Sequence, residues 1–133
     1  MTSLLKKMNF KSQKEILVLN SPNEFESELK SMKVFTTVKT KSEDCEAIEF
    51  VLCFVQNKKE VDQLFKQIKN KIIADGVLWF CYPKKTSKKY IAEINRDSGW
   101  EILLKNKFDT VRDVAIDDDW SGLRFRETKY IKG

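Results

Sequence analysis

The sequence predicts an α/β fold: a three-layer domain built on a mostly parallel sheet, closed by a C-terminal antiparallel hairpin. Three observations carry this. Apolar runs of strand length alternate with segments of helical spacing between Ile16 and Leu104. Two runs, Phe50–Val55 and Val77–Tyr82, are apolar without alternation, as in strands buried on both faces. The last two strand-like segments are joined by the short turn "DDDWS", so the final strand must run antiparallel to its predecessor. The expected sheet order is 2-1-3-4-6-5, with the last strand inserted between its neighbours.

Residues 1–13 carry only Leu4 and Leu5 as adjacent apolar residues, too few for a signal peptide, and are expected to form a flexible tail. A single α/β domain is expected over 14–133. Ile16–Leu19 is a short strand with β-branched members. Ser21, Pro22 and Glu24 then have the spacing of a capping box with proline at the first helical position. Phe25, Leu29 and Met32 follow on one helical face.

"KVFTTVKTK" alternates Val34, Thr36 and Val38, as a strand near a sheet edge does. After the Phe50–Val55 strand, Asn57 and Glu60 form a second candidate capping box. Val61, Leu64, Phe65, Ile68 and Ile72 make one apolar stripe, and Gly76 is placed to end that helix. Ser98 and Glu101 suit the start of a third helix, whose apolar face is Trp100, Leu103 and Leu104. "TVRDVAI" and "GLRFRETKYI" are the hairpin strands.

Composition narrows the chemistry. The 133 residues include 41% hydrophobic ones, enough for a core without staples. Cys45, Cys53 and Cys81 form no CxxC pair, and two lie in apolar runs; they are expected as buried thiols of a reduced, cytoplasmic protein. The chain has no histidine, so imidazole bases, Ser-His and Cys-His arrangements and most zinc sites are excluded. No apolar run approaches membrane length, so no membrane partner is expected. The net charge of +5 permits attraction to phosphates or acidic partners.

From Ala47 onward, "AIEFVLCFVQNKKEVDQLFKQIKNKIIADGVLWFCYP" and "GWEILLKNKFDTVRDVAIDDDWSGLRFR" resemble the second half of the class I methyltransferase fold, which uses S-adenosylmethionine (SAM). The resemblance implies a Rossmann-like sheet. It does not extend to the cofactor motif: the first strand ends in "LNSPNEF", without the family's glycines, and "TTVKT" lacks the acid expected for the ribose. One strand-helix unit is missing as well. No cofactor is therefore expected. "LWFCYPKKTSKKY", "INRDSGW" and "VAIDDDWSGLRFR" also resemble a family of small bacterial proteins in which a YPKK turn, an RD-GW helix start and an ID--WS-LRF hairpin recur. That likeness implies the fold and adds no reaction.

Ligands of open α/β sheets sit beyond the carboxyl ends of the strands. The long connection "PKKTSKKYIAEINRD" leaves that edge. Lys84, Lys85, Thr86, Ser87, Lys88 and Lys89 would offer it cations and hydroxyls, or would form a solvated loop. Arg96 either clamps an anion beside a helix start or pairs with an acid of the hairpin. Asp117, Asp118 and Asp119 suit a backbone-bonded turn better than a metal, and no metal site is expected. Trp120 either stacks on a base or plugs the core. Arg124 and Arg126 alternate with Leu123 and Phe125, which alone explains them as the wet face of a strand; beside Trp120 they would suit nucleic acid only if the lysine loop lay on the same surface.

The expected function is a non-enzymatic binding domain whose carboxyl-edge loop attracts an anionic small molecule or an acidic protein surface. A methyltransferase with a rebuilt cofactor site is the alternative, with Tyr82, Lys85 and Asp117 as its acid–base groups. Nucleic-acid binding is a further alternative.

Overall fold

A computed structural model describes residues 2–131; residues 1, 132 and 133 of the expected tail and domain lie outside it. Six strands form one sheet: β1 (Glu15–Leu19), β2 (Thr37–Lys39), β3 (Ile48–Phe54), β4 (Ile72–Pro83), β5 (Phe108–Ala115) and β6 (Trp120–Glu127). Their order is β2-β1-β3-β4-β6-β5, as the apolar pattern predicts. The pairings β2–β1, β1–β3 and β3–β4 are parallel, and β6 runs antiparallel to both β4 and β5.

Alternation along the strands sorts the core into two layers. Ile16, Val18, Phe50, Leu52, Val77 and Trp79 face one side. There they meet α1 (Ser3–Lys7) and α2 (Glu26–Met32), through Leu5, Met8, Leu29 and Met32. Leu17, Val51, Cys53, Leu78, Phe80 and Leu123 face the other side. They pack on α3 (Lys58–Ile68) and α4 (Glu101–Lys105), through Val61, Phe65, Ile68 and Leu103. The helices thus change sides where strand order reverses, between β1 and β3.

The N-terminal segment corrects the expected tail. Leu4, Leu5, Met8 and Phe10 are buried. Thr2 caps α1 by accepting from the Leu5 N–H at 3.1 Å. The Trp79 indole N–H, in the sheet centre, donates to the Met8 carbonyl at 2.9 Å. Without this segment a buried donor would lose its partner, which is why so short an apolar pattern is held down.

Three helix boundaries also differ from expectation. Ser21 caps nothing: the chain enters α2 through a 3-10 turn, Asn23–Phe25, behind Pro22, and Glu24 is used elsewhere. Trp100, not Ser98, precedes α4, because Ser98 is bridged back to Asn95. Gly76 does not end α3, which stops at Ile68. Ile72 belongs to β4, where the register against β3 shifts. Asp75 takes a left-handed φ of 56° in that bulge, and a Cβ on Gly76 would lie 2.8 Å from Ile72. The Asn57 cap of α3 is as expected, accepting from the Glu60 N–H at 2.9 Å. All three cysteines are free and buried, and burial pushes the Cys53 and Cys81 thiols up.

Candidate functional site

The connection from Pro83 to Trp100 runs across the carboxyl ends of the strands and straddles the sheet. Tyr90 packs on the α1–α2 side, against Trp120, with ring centroids 5.0 Å apart. Ile94 is buried on the α3–α4 side. Backbone bonds pin the path: the Lys84 N–H donates to the Asp119 carbonyl and the Glu93 N–H to the Gln56 carbonyl, both at 2.8 Å. Ser87 supplies a third tie, donating its hydroxyl to the Asp119 carboxylate at 2.9 Å and accepting from the Tyr90 N–H.

Under this loop, on the α4 side, lies an open cavity of 810 Å³. Its lining includes Tyr82, Lys84, Lys85, Thr86, Ser87 and Arg96. Glu93 and Asp97 also line it, so the walls carry both signs, and Ile91 and Ile94 add apolar area. Among the described residues the salt bridges are Lys58–Asp62, Arg96–Asp113, Arg126–Asp75 and Lys129–Glu127. Among the described residues, neither Lys84 nor Lys85, both of the cavity lining, is in a salt bridge. Burial raises the Tyr82 pKa, with Asp113 adding to the rise and Arg96 opposing it.

The structure sorts the sequence-predicted site residues. Lys84, Lys85, Thr86, Ser87 and Arg96 come together at the cavity, while Lys88 and Lys89 are exposed and do not line it. Arg96 sits 3.5 Å from Asp113 of β5, the hairpin pairing. Asp117 is committed to the turn: its carboxylate accepts from the N–H groups of Asp119 and Trp120, each at 2.8 Å. That removes it from the trio of acid–base groups and leaves Tyr82 and Lys85 at the cavity. Trp120 is a core plug between Phe54 and Tyr90, only 2% exposed, so its ring is not offered to a base.

A second crevice, of 310 Å³, lies at the reversal point between β1 and β3. Asn20, the residue after β1, takes φ 61°. Asparagine tolerates this left-handed conformation better than most residues. Its side-chain amide donates to the Phe54 carbonyl at 2.8 Å and to Glu60 at 3.1 Å, bridging the two strand ends. Glu60 also accepts from the Gln56 N–H at 2.7 Å. Asn20→Ala is expected to destabilise the protein by about 1–2 kcal/mol from backbone strain alone. Asn20→Gly should cost less, because only the side-chain bonds are lost. Urea melts of both variants check the order.

Sequence reasoning missed Tyr90 and Glu24. The Tyr90 hydroxyl donates to the Glu24 carboxylate, and Tyr90 forms a wall shared by the two cavities. The contact lowers the Glu24 pKa, with Lys89 a lesser cause, and pushes Tyr90 up to about 12. A separation of 66 positions along the chain leaves no local signal for it. A raised Tyr90 pKa means its contribution is present below the ordinary tyrosine value and is lost as pH rises through about 12. The depressed Glu24 pKa means its contribution is lost as pH falls through the folded value. Glu24→Gln should bring the Tyr90 midpoint back toward the ordinary value, read from phenolate absorbance. An unchanged midpoint would dissociate the two groups.

Comparison with solved structures bears on the fold. The Methanococcus jannaschii fibrillarin pre-rRNA processing protein aligns over 89% of this chain and 68% of its own, at 12% identity and TM-score 0.55. A SAM dependent methyltransferase from Aquifex aeolicus aligns over 93% and 87%, at 12% identity and TM-score 0.55. TrmN from Thermus thermophilus aligns over 94% and 47%, at 8% identity and TM-score 0.56. The fold is methyltransferase-like. At these identities the likeness is one of fold alone. No protein-family model and no curated sequence matches the chain. Among the described residues no helix is long and apolar enough to cross a membrane.

Proposed function

We propose that the protein is a binding domain for a small anionic molecule, held in the cavity beneath the Lys84–Asp97 loop. The observation that carries this reading is the pair Lys84 and Lys85, which line an 810 Å³ cavity at the carboxyl edge and, among the described residues, are in no salt bridge. Cavities of this size suit small molecules, and convergent polar groups fix their orientation. Thr86 and Ser121 add hydroxyls, and the Ile91–Ile94 wall suits a ligand with an apolar body beside its charge. The cytoplasm supplies such anions and keeps the three thiols reduced.

Titration with phosphorylated sugars, nucleotides and dicarboxylates, followed by amide NMR, tests the reading. It expects saturable shifts centred on Lys84–Ser87 and Arg96–Ser98. Shifts confined to other surfaces, or none across the panel, would remove it.

A methyltransferase with a rebuilt cofactor site is the second reading, favoured by the fold. Asn20 stands against it, since its side chain, tied to the Phe54 carbonyl and Glu60, lines the approach that glycine would leave open, and Pro22 lacks an amide donor. Calorimetry with SAM and its demethylated product separates the two. Nucleic acid is less well supported, because Arg124 and Arg126 share the α1 side of the sheet with Trp120 and the cavity opens on the α4 side. An acidic protein surface would engage the exposed Lys88 and Lys89 rather than the cavity.

A further inference from the structure

The geometry points to a second anion site, for a phosphate-type oxyanion, between Arg112 of β5 and Arg124 of β6. These two residues are directly opposite in the antiparallel ladder. Like charges in that position repel one another and weaken a sheet. Asp75 acts on Arg124 but offsets the pair only in part. Asp75 is gripped by Arg126, which donates to both its carboxylate oxygens at 2.7 and 2.6 Å. Asp109, opposite Arg126, accepts from the Thr110 N–H. The Arg124 Nε is buried and has no hydrogen-bond partner among the described residues. A desolvated guanidinium with an unused donor is costly to hold, and burial, with Arg126 and Arg112 beside it, lowers the Arg124 pKa even though Asp75 opposes the shift.

The backbone itself creates the juxtaposition. Thr110 pairs with Phe125 and Arg112 with Arg124, so Val111 is an extra residue in β5. In a regular strand Val111 would occupy the α1 side opposite Arg124, and Arg112 would point to the α4 side. The bulge turns Arg112 over to join Arg124 and leaves Val111, an apolar residue, 38% exposed. Bulges re-aim side chains next to functional sites. Here one spends an apolar side chain to bring two cations together. Guanidinium forks on neighbouring strands match the oxygens of a tetrahedral oxyanion, and Arg112 is exposed enough to admit it. This site lies on the face of the sheet opposite the 810 Å³ cavity, so it stands independently of the proposed function.

NMR of the arginine Nε–H groups during titration with inorganic phosphate tests the site. A second arm uses ribose 5-phosphate, to distinguish free phosphate from a phosphomonoester, and chloride at matched ionic strength is the control. Arg112 and Arg124 should shift saturably with phosphate and not with chloride. Arg112→Gln, an exposed change that leaves the fold intact, should weaken the response about tenfold or more. The double variant Lys84→Ser, Lys85→Ser should keep it. A response equal for chloride, one that survives Arg112→Gln, or one abolished by the lysine changes would overturn the assignment.

Discussion

Leu5→Ala and Met8→Ala are each expected to destabilise the protein by about 2–5 kcal/mol, the cost of a buried large-to-small change. A loose tail would show no effect at either position. Both side chains are fully buried, and Met8 lies against Gly122 and near Trp79 at the centre of the sheet. Met8→Ala should be the more informative variant. Its carbonyl still accepts from Trp79, so only packing is lost. Denaturant melts with tryptophan fluorescence would follow the change at the site where it acts. Midpoints matching the parent protein would mean that α1 does not dock on the sheet.

The second large effect concerns the cavity lysines. Lys84→Ser with Lys85→Ser should barely move the melting temperature, because surface charges of this kind contribute only about 0–1 kcal/mol to stability. Anion affinity should fall much further. A hydrogen bond to a charged group is worth about 1.5–3 kcal/mol, so each lysine lost corresponds to roughly tenfold or more in affinity. Lys88→Ser with Lys89→Ser is the matched control. Those two side chains are exposed and lie outside the cavity lining, so binding should persist. Equal losses in the two double variants would indicate a diffuse field rather than a site. A collapsed fold after Lys84→Ser with Lys85→Ser would make the loop structural.

The sheet was legible because its signal is local and strong. Phe50–Val55 and Val77–Tyr82 are apolar on both faces, so they must be central, and the turn at Asp117–Asp119 fixes the direction of β6. Boundaries were less legible where two signals compete. Ser21 and Ser98 both have a glutamate three residues on, the pattern of a helix start. Yet Glu24 is taken by Tyr90 and Ser98 by Asn95, and neither partner is visible from the spacing. The N-terminal helix was missed for a related reason. Leu4, Leu5, Met8 and Phe10 are a weak pattern alone, and the sheet face that buries them is assembled from residues far along the chain.

The site was legible in part. A long connection leaving the carboxyl edge marks where a cavity can form, and the lysines at its start mark its charge. The depth of that cavity depends on Ile94 reaching the core and on Tyr90 crossing to the other side of the sheet. Both depend on tertiary packing. The Arg112–Arg124 juxtaposition was hidden by the β5 bulge, since simple alternation places those residues on opposite faces.

The most direct test of the proposed function is a crystal structure of the protein soaked with the tightest anion from the NMR panel. Density is expected beneath the Lys84–Asp97 loop, with the charged group of the ligand within hydrogen-bonding distance of Lys84 or Lys85. An empty cavity, with the ligand instead seated against Asn20–Asn23 at the β1–β3 crevice, would contradict it.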